Sequence, residues 1–128
     1  MKFSLELVFV PVSDVDRAKS FYVDQVGFNP DHDHQVDDNI RFVQLTPPGS
    51  PCSIAIGTGL VDSRPGSLKG LQMVVDDADA AQAFLRGRGV EVSDVEELPW
   101  GRFCHFCDPD GNSWSLQQLL HQRGSDGG

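Results

Sequence analysis

Nowhere in this chain does an apolar run approach the roughly 18–20 residues that a membrane-crossing helix needs. Positive charge is equally scarce: ten Lys and Arg stand against nineteen Asp and Glu, for a net charge of −9. Nucleic acids and anionic membranes are bound through Lys/Arg surfaces that release counterions, so both are disfavoured as partners. Acidity suits a cationic small molecule, although plain solubility explains it as well. Three cysteines, an odd number, do not make the disulfide framework of a small secreted domain. No phosphate-cradling glycine loop, nucleophile elbow or Ser/His/Asp pattern is present. Met1-Lys2 runs directly into a strand-like segment without the apolar core of a signal peptide, so a soluble, cytoplasmic protein is expected.

A duplication is what the chain does contain. VSDVDRAKSF at 12–21 returns as VDDADAAQAF at 75–84, with Val12/Val75, Asp14/Asp77, Asp16/Asp79, Ala18/Ala81 and Phe21/Phe84 identical. Each copy follows an apolar run and ends in a glycine plus an apolar residue, Gly27-Phe28 and Gly89-Val90. One strand–helix unit has been used twice. Two copies are too few for an open solenoid, so they must pack on each other or on a second chain.

The coarse pattern of each half is β-α-β-β-β. Leu5–Val12 reads as a strand, and Ser13 as the cap of a helix with Asp16 completing a capping-box-like pair. Val15, Ala18, Phe21 and Tyr22 fall on one helical face. Polar residues 29–39 read as loop; Ile40–Leu45 and Cys52–Ile56 pair across TPPGSP. After a linker at 58–68 the pattern restarts with strand Gly70–Val75 and a helix capped by Asp76 or Asp77. A short strand at Val90–Val95 follows, then a hairpin of Arg102–Cys107 and Asn112–Leu119 across DPDG. Module one thus covers about 4–57 and module two about 69–119, with a disordered tail at 121–128. The class is α+β, two mixed sheets each covered by one helix.

The segments VSDVDRAKSFYVDQVGF (12–28), GLQMVVDDADAAQAFLRGRGVEV (70–92) and GRFCHFCDPDGNSWSLQQ (101–118) resemble the vicinal oxygen chelate superfamily. That group holds glyoxalase I, extradiol dioxygenases, fosfomycin-resistance enzymes and bleomycin-resistance proteins. The resemblance implies two βαβββ modules forming a curled, incomplete-barrel sheet with the pocket inside the curl, paired in a homodimer. It also implies four metal positions, which fall here on Leu7, Ala55, Gly70 and Ser115. Leu, Ala and Gly bring no donor atom and a neutral Ser hydroxyl is a poor one, so no metal and no other cofactor are expected.

With that fold, Phe9, Trp100 and Phe103 supply aromatic lining, and Gln44, Gln72, Ser115 and Gln117 supply polar anchors for a small organic ligand. His105 is either a general base or ligand contact, or a strand histidine without a role. Cys104 and Cys107 lie three apart on a strand and so face opposite ways, which favours core packing over redox chemistry. His32 and His34, among Asp31, Asp33, Asp37 and Asp38, have the look of a metal site, but in a polar loop they read as a solvated segment with only adventitious metal binding, or as a lid. Two functions stay open: a metal-free binding protein of the bleomycin-resistance type, or an enzyme of the same superfamily.

Overall fold

The computed structural model describes residues 1–120; the tail expected at 121–128 lies outside them. The described chain divides into two compact units, Met1–Leu68 with Asp108–Asn112, and Lys69–Cys107 with residues 113–120.

In the first unit, strands β1 (Leu7–Phe9), β2 (Asn29–Asp37), β3 (Ile40–Thr46) and β4 (Ser53–Thr58) form a mixed sheet in the order β1-β4-β3-β2. Helix α1 (Val15–Ser20) leaves β1, widens into a π-helical turn over Phe21–Val26, and stops at Gly27, whose φ of 96° only glycine adopts at no cost. Val15, Ala18, Phe21 and Tyr22 are buried as their spacing predicts. The sheet's helix-facing side is Val43, Leu45, Ile54 and Ile56, all nearly inaccessible to water. In the second unit, β5 (Leu71–Val74), β6 (Glu96–Leu98), β7 (Gly101–Cys107) and β8 (Ser113–Gln118) repeat the order as β5-β8-β7-β6. Helix α2 (Ala78–Gly87) packs on β7 and β8, over Cys104, Phe106, Trp114 and Leu116. Phe106 and Trp114 stack there with centroids 6.0 Å apart. The result is α+β, one βαβββ unit built twice.

Three local readings need correction. The cap of α1 is Asp14, whose carboxylate accepts from the Arg17 N–H, while the Ser13 hydroxyl donates to Asp110 at 2.6 Å. Residues 29–37 form an edge strand, with register shifts between Pro30 and His32 and between Gln35 and Asp37. Every residue of β2 is exposed, so no apolar alternation betrays it; its ladder with β3 and the Asp33 ion pairs hold it. The strand expected at Val90–Val95 begins only at Glu96. Val90 and Val92 are buried, but side chains of α2 take the carbonyls: Arg86 donates to Val92 O at 2.7 Å and Gln82 to Ser93 O at 2.8 Å.

Both copies of the duplicated motif do the same two jobs. The first aspartate caps the helix, Asp14 to Arg17 N at 3.0 Å and Asp77 to Ala80 N at 3.1 Å. The second grips an arginine on the unit's third strand, Asp16 to Arg41 at 2.9 Å and Asp79 to Arg102 at 2.8 Å. The DPDGN turn is structural too, and lies in the first unit. Asp108 accepts from Tyr22 Oη (2.7 Å), Asn112 Nδ2 (2.8 Å) and the Asp110 N–H (2.9 Å). Asn112, fully buried, donates to Pro11 O at 2.8 Å and accepts from the Leu68 N–H at 3.1 Å. Buried polar groups persist only when satisfied, and these are.

Candidate functional site

Each sheet has a helix-covered face and an open face, and residues paired directly across strands share a face. In the first unit, Leu7 pairs with Ser53, Phe9 with Ala55, Ala55 with Gln44 and Gln44 with His32. Phe9 and Gln44 therefore share the open face, with Leu7, Ala55, Phe42 and the two histidines of β2. Phe9 is 42% exposed. Gln44 donates to Ser53 Oγ at 3.2 Å, and Ser53 Oγ lies 2.7 Å from Thr46 Oγ1, which in turn donates to the Asp31 carboxylate.

In the second unit, Gln72 pairs with Ser115, Ser115 with His105, and Phe103 with Gln117. The period-2 geometry thus brings Gln72, Phe103, His105, Ser115 and Gln117 together on the open face. Their contacts form two short chains. Gln72 Nε2 donates to Gln117 Oε1 at 2.6 Å, and Gln117 Nε2 donates to the Trp100 carbonyl at 3.3 Å. That direction leaves the Gln72 carbonyl oxygen as an acceptor toward solvent. His105 Nδ1 lies 2.9 Å from Ser115 Oγ, which fixes the ring and turns Nε2 outward. Trp100, in the turn between β6 and β7, is 62% exposed and forms an apolar flank. Phe103 is 6% exposed, so it serves as floor more than as surface.

The cysteines separate as the strand geometry requires. Cys104 lies in the core, where burial pushes its thiol pKa up, while Cys107 is exposed beside His105 on the open face. The four positions that would hold the superfamily's metal do not fit a divalent ion: Leu7, Ala55 and Gly70 have no side-chain donor, and the Ser115 hydroxyl is taken by His105. Among the described residues no three His, Cys, Asp or Glu side chains converge on one point. A cleft of about 240 Å³ in the first unit, between Pro11–Ser13 and the segment 57–65, touches none of the expected ligand-binding residues. It offers backbone and small side chains without a charged group. His32 and His34 lie on the edge strand β2 and not in the loop expected from their polar surroundings, and their i, i+2 spacing sets both on one side of it.

Comparison with known proteins agrees with this fold. Residues 4–116 match the family model of the Glyoxalase/Bleomycin resistance protein/Dioxygenase superfamily. TnmS3, an antibiotic binding protein from Streptomyces sp. CB03234, is 42% identical, with a TM-score of 0.84 over 93% of this chain and 98% of that one. A glyoxalase/bleomycin resistance protein from the same strain is 43% identical, with a TM-score of 0.79 over 90% of this chain and all of its own. YetH, an uncharacterized Bacillus subtilis protein, is 26% identical over 87% of this chain and 94% of its own. No helix among the described residues is long and apolar enough to cross a membrane. The chain belongs to the Glyoxalase/Bleomycin resistance protein/Dioxygenase superfamily.

Proposed function

We propose that this protein binds a small organic molecule, aromatic or cationic, against the open face of the second unit's sheet, without a catalytic metal. The observation that carries the reading is the register that sets Gln72, His105, Ser115 and Gln117 on one uncovered face, beside an exposed tryptophan. An exposed indole gives a flat ligand a stacking surface, a cationic one a cation–π partner, and the amide and imidazole groups fix its orientation. Similarity to TnmS3 supports an antibiotic as the ligand class. Phe9 and Gln44 offer a second, more apolar surface on the first unit. The alternative, an enzyme, rests on the His105–Ser115 pair as a proton-transfer couple.

Tryptophan fluorescence tests the binding reading directly, because Trp114 is buried against Phe106 and Trp100 is exposed. Titration with a panel of antibiotics that includes bleomycin should give one saturable change, unaffected by EDTA and without product formation. Trp100→Ala should weaken binding about tenfold, the loss of roughly 1.4 kcal/mol, as for an aromatic anchor. Unchanged affinity, read by calorimetry, removes Trp100 from the site, and turnover would give the enzyme reading the lead. A homodimer and a cytoplasmic location belong to the same proposal; light scattering at micromolar concentration should report twice the chain mass.

A further inference from the structure

His32 and His34 sit at i and i+2 on β2, on one side of the strand, with ring centroids 5.7 Å apart and planes 24° from parallel. Both rings are exposed. Across the ladder they face Gln44 and Phe42, neither of which carries a charge. Asp33, between them, points to the helix-covered side, where Arg41 and Lys19 each hold it at 2.8 Å. Asp31, at the bulge, is engaged by the Thr46 hydroxyl. Arg41 and Lys19 thus lie on the other side of the strand from the two imidazoles, and the carboxylates of Asp31 and Asp33 already have partners.

We propose that His32 and His34 form a two-imidazole chelate for a divalent transition metal, with Cu²⁺ preferred over Ni²⁺ and Zn²⁺ and water in the remaining positions. Neutral imidazole is the ligand that suits these ions, while Mg²⁺ and Ca²⁺ demand oxygen sets the pair lacks. The strand supplies the preorganisation: its ladder fixes both Cβ atoms on one side, and small rotations about χ1 and χ2 aim one nitrogen of each ring at an ion about 2 Å away. The net charge of −9 raises the local concentration of cations. This site is separate from the four superfamily metal positions and does not depend on the ligand-binding reading.

The test is titration of the metal-free full-length chain with CuCl2 and with ZnCl2, in a weakly coordinating buffer at neutral pH. Calorimetry should give about one Cu²⁺ per chain at this site, with Zn²⁺ about tenfold weaker or more, in keeping with the usual order of divalent affinities. Electron paramagnetic resonance should show two equatorial nitrogens. His32→Ala and His34→Ala should each weaken Cu²⁺ binding by about tenfold or more. His105→Ala, on the other unit's sheet, should leave it unchanged. Both histidines lie on an exposed edge, so the variants keep their fold, which circular dichroism checks. Unaltered affinity in the double variant, or a one-nitrogen signature in the wild type, overturns the proposal.

Discussion

The two sheets share strand order, helix placement, capping aspartate and aspartate–arginine grip, yet their second strands and open faces have little in common. β2 runs nine residues and β6 only three. The first unit's open face sets Leu7, Phe9 and Phe42 around one amide, Gln44, whose bond is to the Ser53 hydroxyl, with a histidine pair at its edge. The second carries amides, a hydroxyl, an imidazole and a thiol. What both copies keep is what builds a βαβββ unit, and what differs is the surface each presents to a ligand. The duplicated motif is therefore evidence of fold, and function has to be sought where the copies part.

The largest test of that comparison lies in the hairpin turns. The turn between β7 and β8 is anchored by a buried network in which Asn112 satisfies Pro11 O, the Leu68 N–H and Asp108. Among the described residues, the matching turn between β3 and β4 is held by local bonds, including Ser50 N to Pro47 O at 3.0 Å, Ser50 Oγ to Cys52 O at 2.8 Å and Cys52 N to Ser50 Oγ at 3.1 Å. Asn112→Ala strands several buried polar groups and should cost about 3 kcal/mol in urea unfolding, whereas Ser50→Ala should cost about 0.5 kcal/mol. Comparable losses would mean that the two turns are anchored alike.

Ion pairing separates the units next. Arg41 is held by Asp33 as well as Asp16, and the hydrogen bonds from Arg41 and then Lys19 keep the Asp33 carboxyl far below its usual range. A depressed carboxylate pKa stabilises the fold above the unfolded value of about 3.9, and that stability drains away as pH falls below it. Asp33→Asn should therefore lose about 1 kcal/mol at neutral pH, a partly exposed network being worth little more. The gap from wild type should close as unfolding is followed from pH 5 toward pH 2. In the second unit Arg102 has Asp79 and Glu97, the latter on the edge strand beside it. Arg102→Gln should show a smaller effect than Arg41→Gln in the same assay.

The fold was legible where hydrophobic period and repeat agreed. Both helices, both hairpins and Gly27 fell out of the alternation of Val43/Leu45 and Cys104/Phe106 and of the Val15–Tyr22 face. It failed at β2 because an edge strand exposed on both faces needs no apolar residues, leaving backbone pairing that no composition reveals. It failed at 90–95 because Val90 and Val92 are buried there without forming a strand, the carbonyls of Val92 and Ser93 being met by Arg86 and Gln82 of the helix. The open-face residues of the second unit were legible through period 2 together with the fold that the resemblance implies. Their hydrogen bonds, Gln72 to Gln117 and His105 to Ser115, required coordinates, since they depend on which strands are neighbours.

The smallest test asks whether the repeated cap is worth the same in both copies. Asp14 and Asp77 each accept from the N–H three residues on, at 3.0 and 3.1 Å, from extended backbone. α1 is a six-residue helix that widens into a π turn, whereas α2 is ten residues of regular winding. If the cap's value lies in the bond it makes to an orphan N–H, Asp14→Ala and Asp77→Ala should each cost about 1 kcal/mol. If it lies in nucleating the helix, the shorter α1 should suffer more, because fewer following turns share the cost of the first. The bond geometry is the same in both, so equal losses are expected. An Asp14→Ala loss well above that of Asp77→Ala would show that the copies, alike in contacts, differ in how much each helix depends on its start.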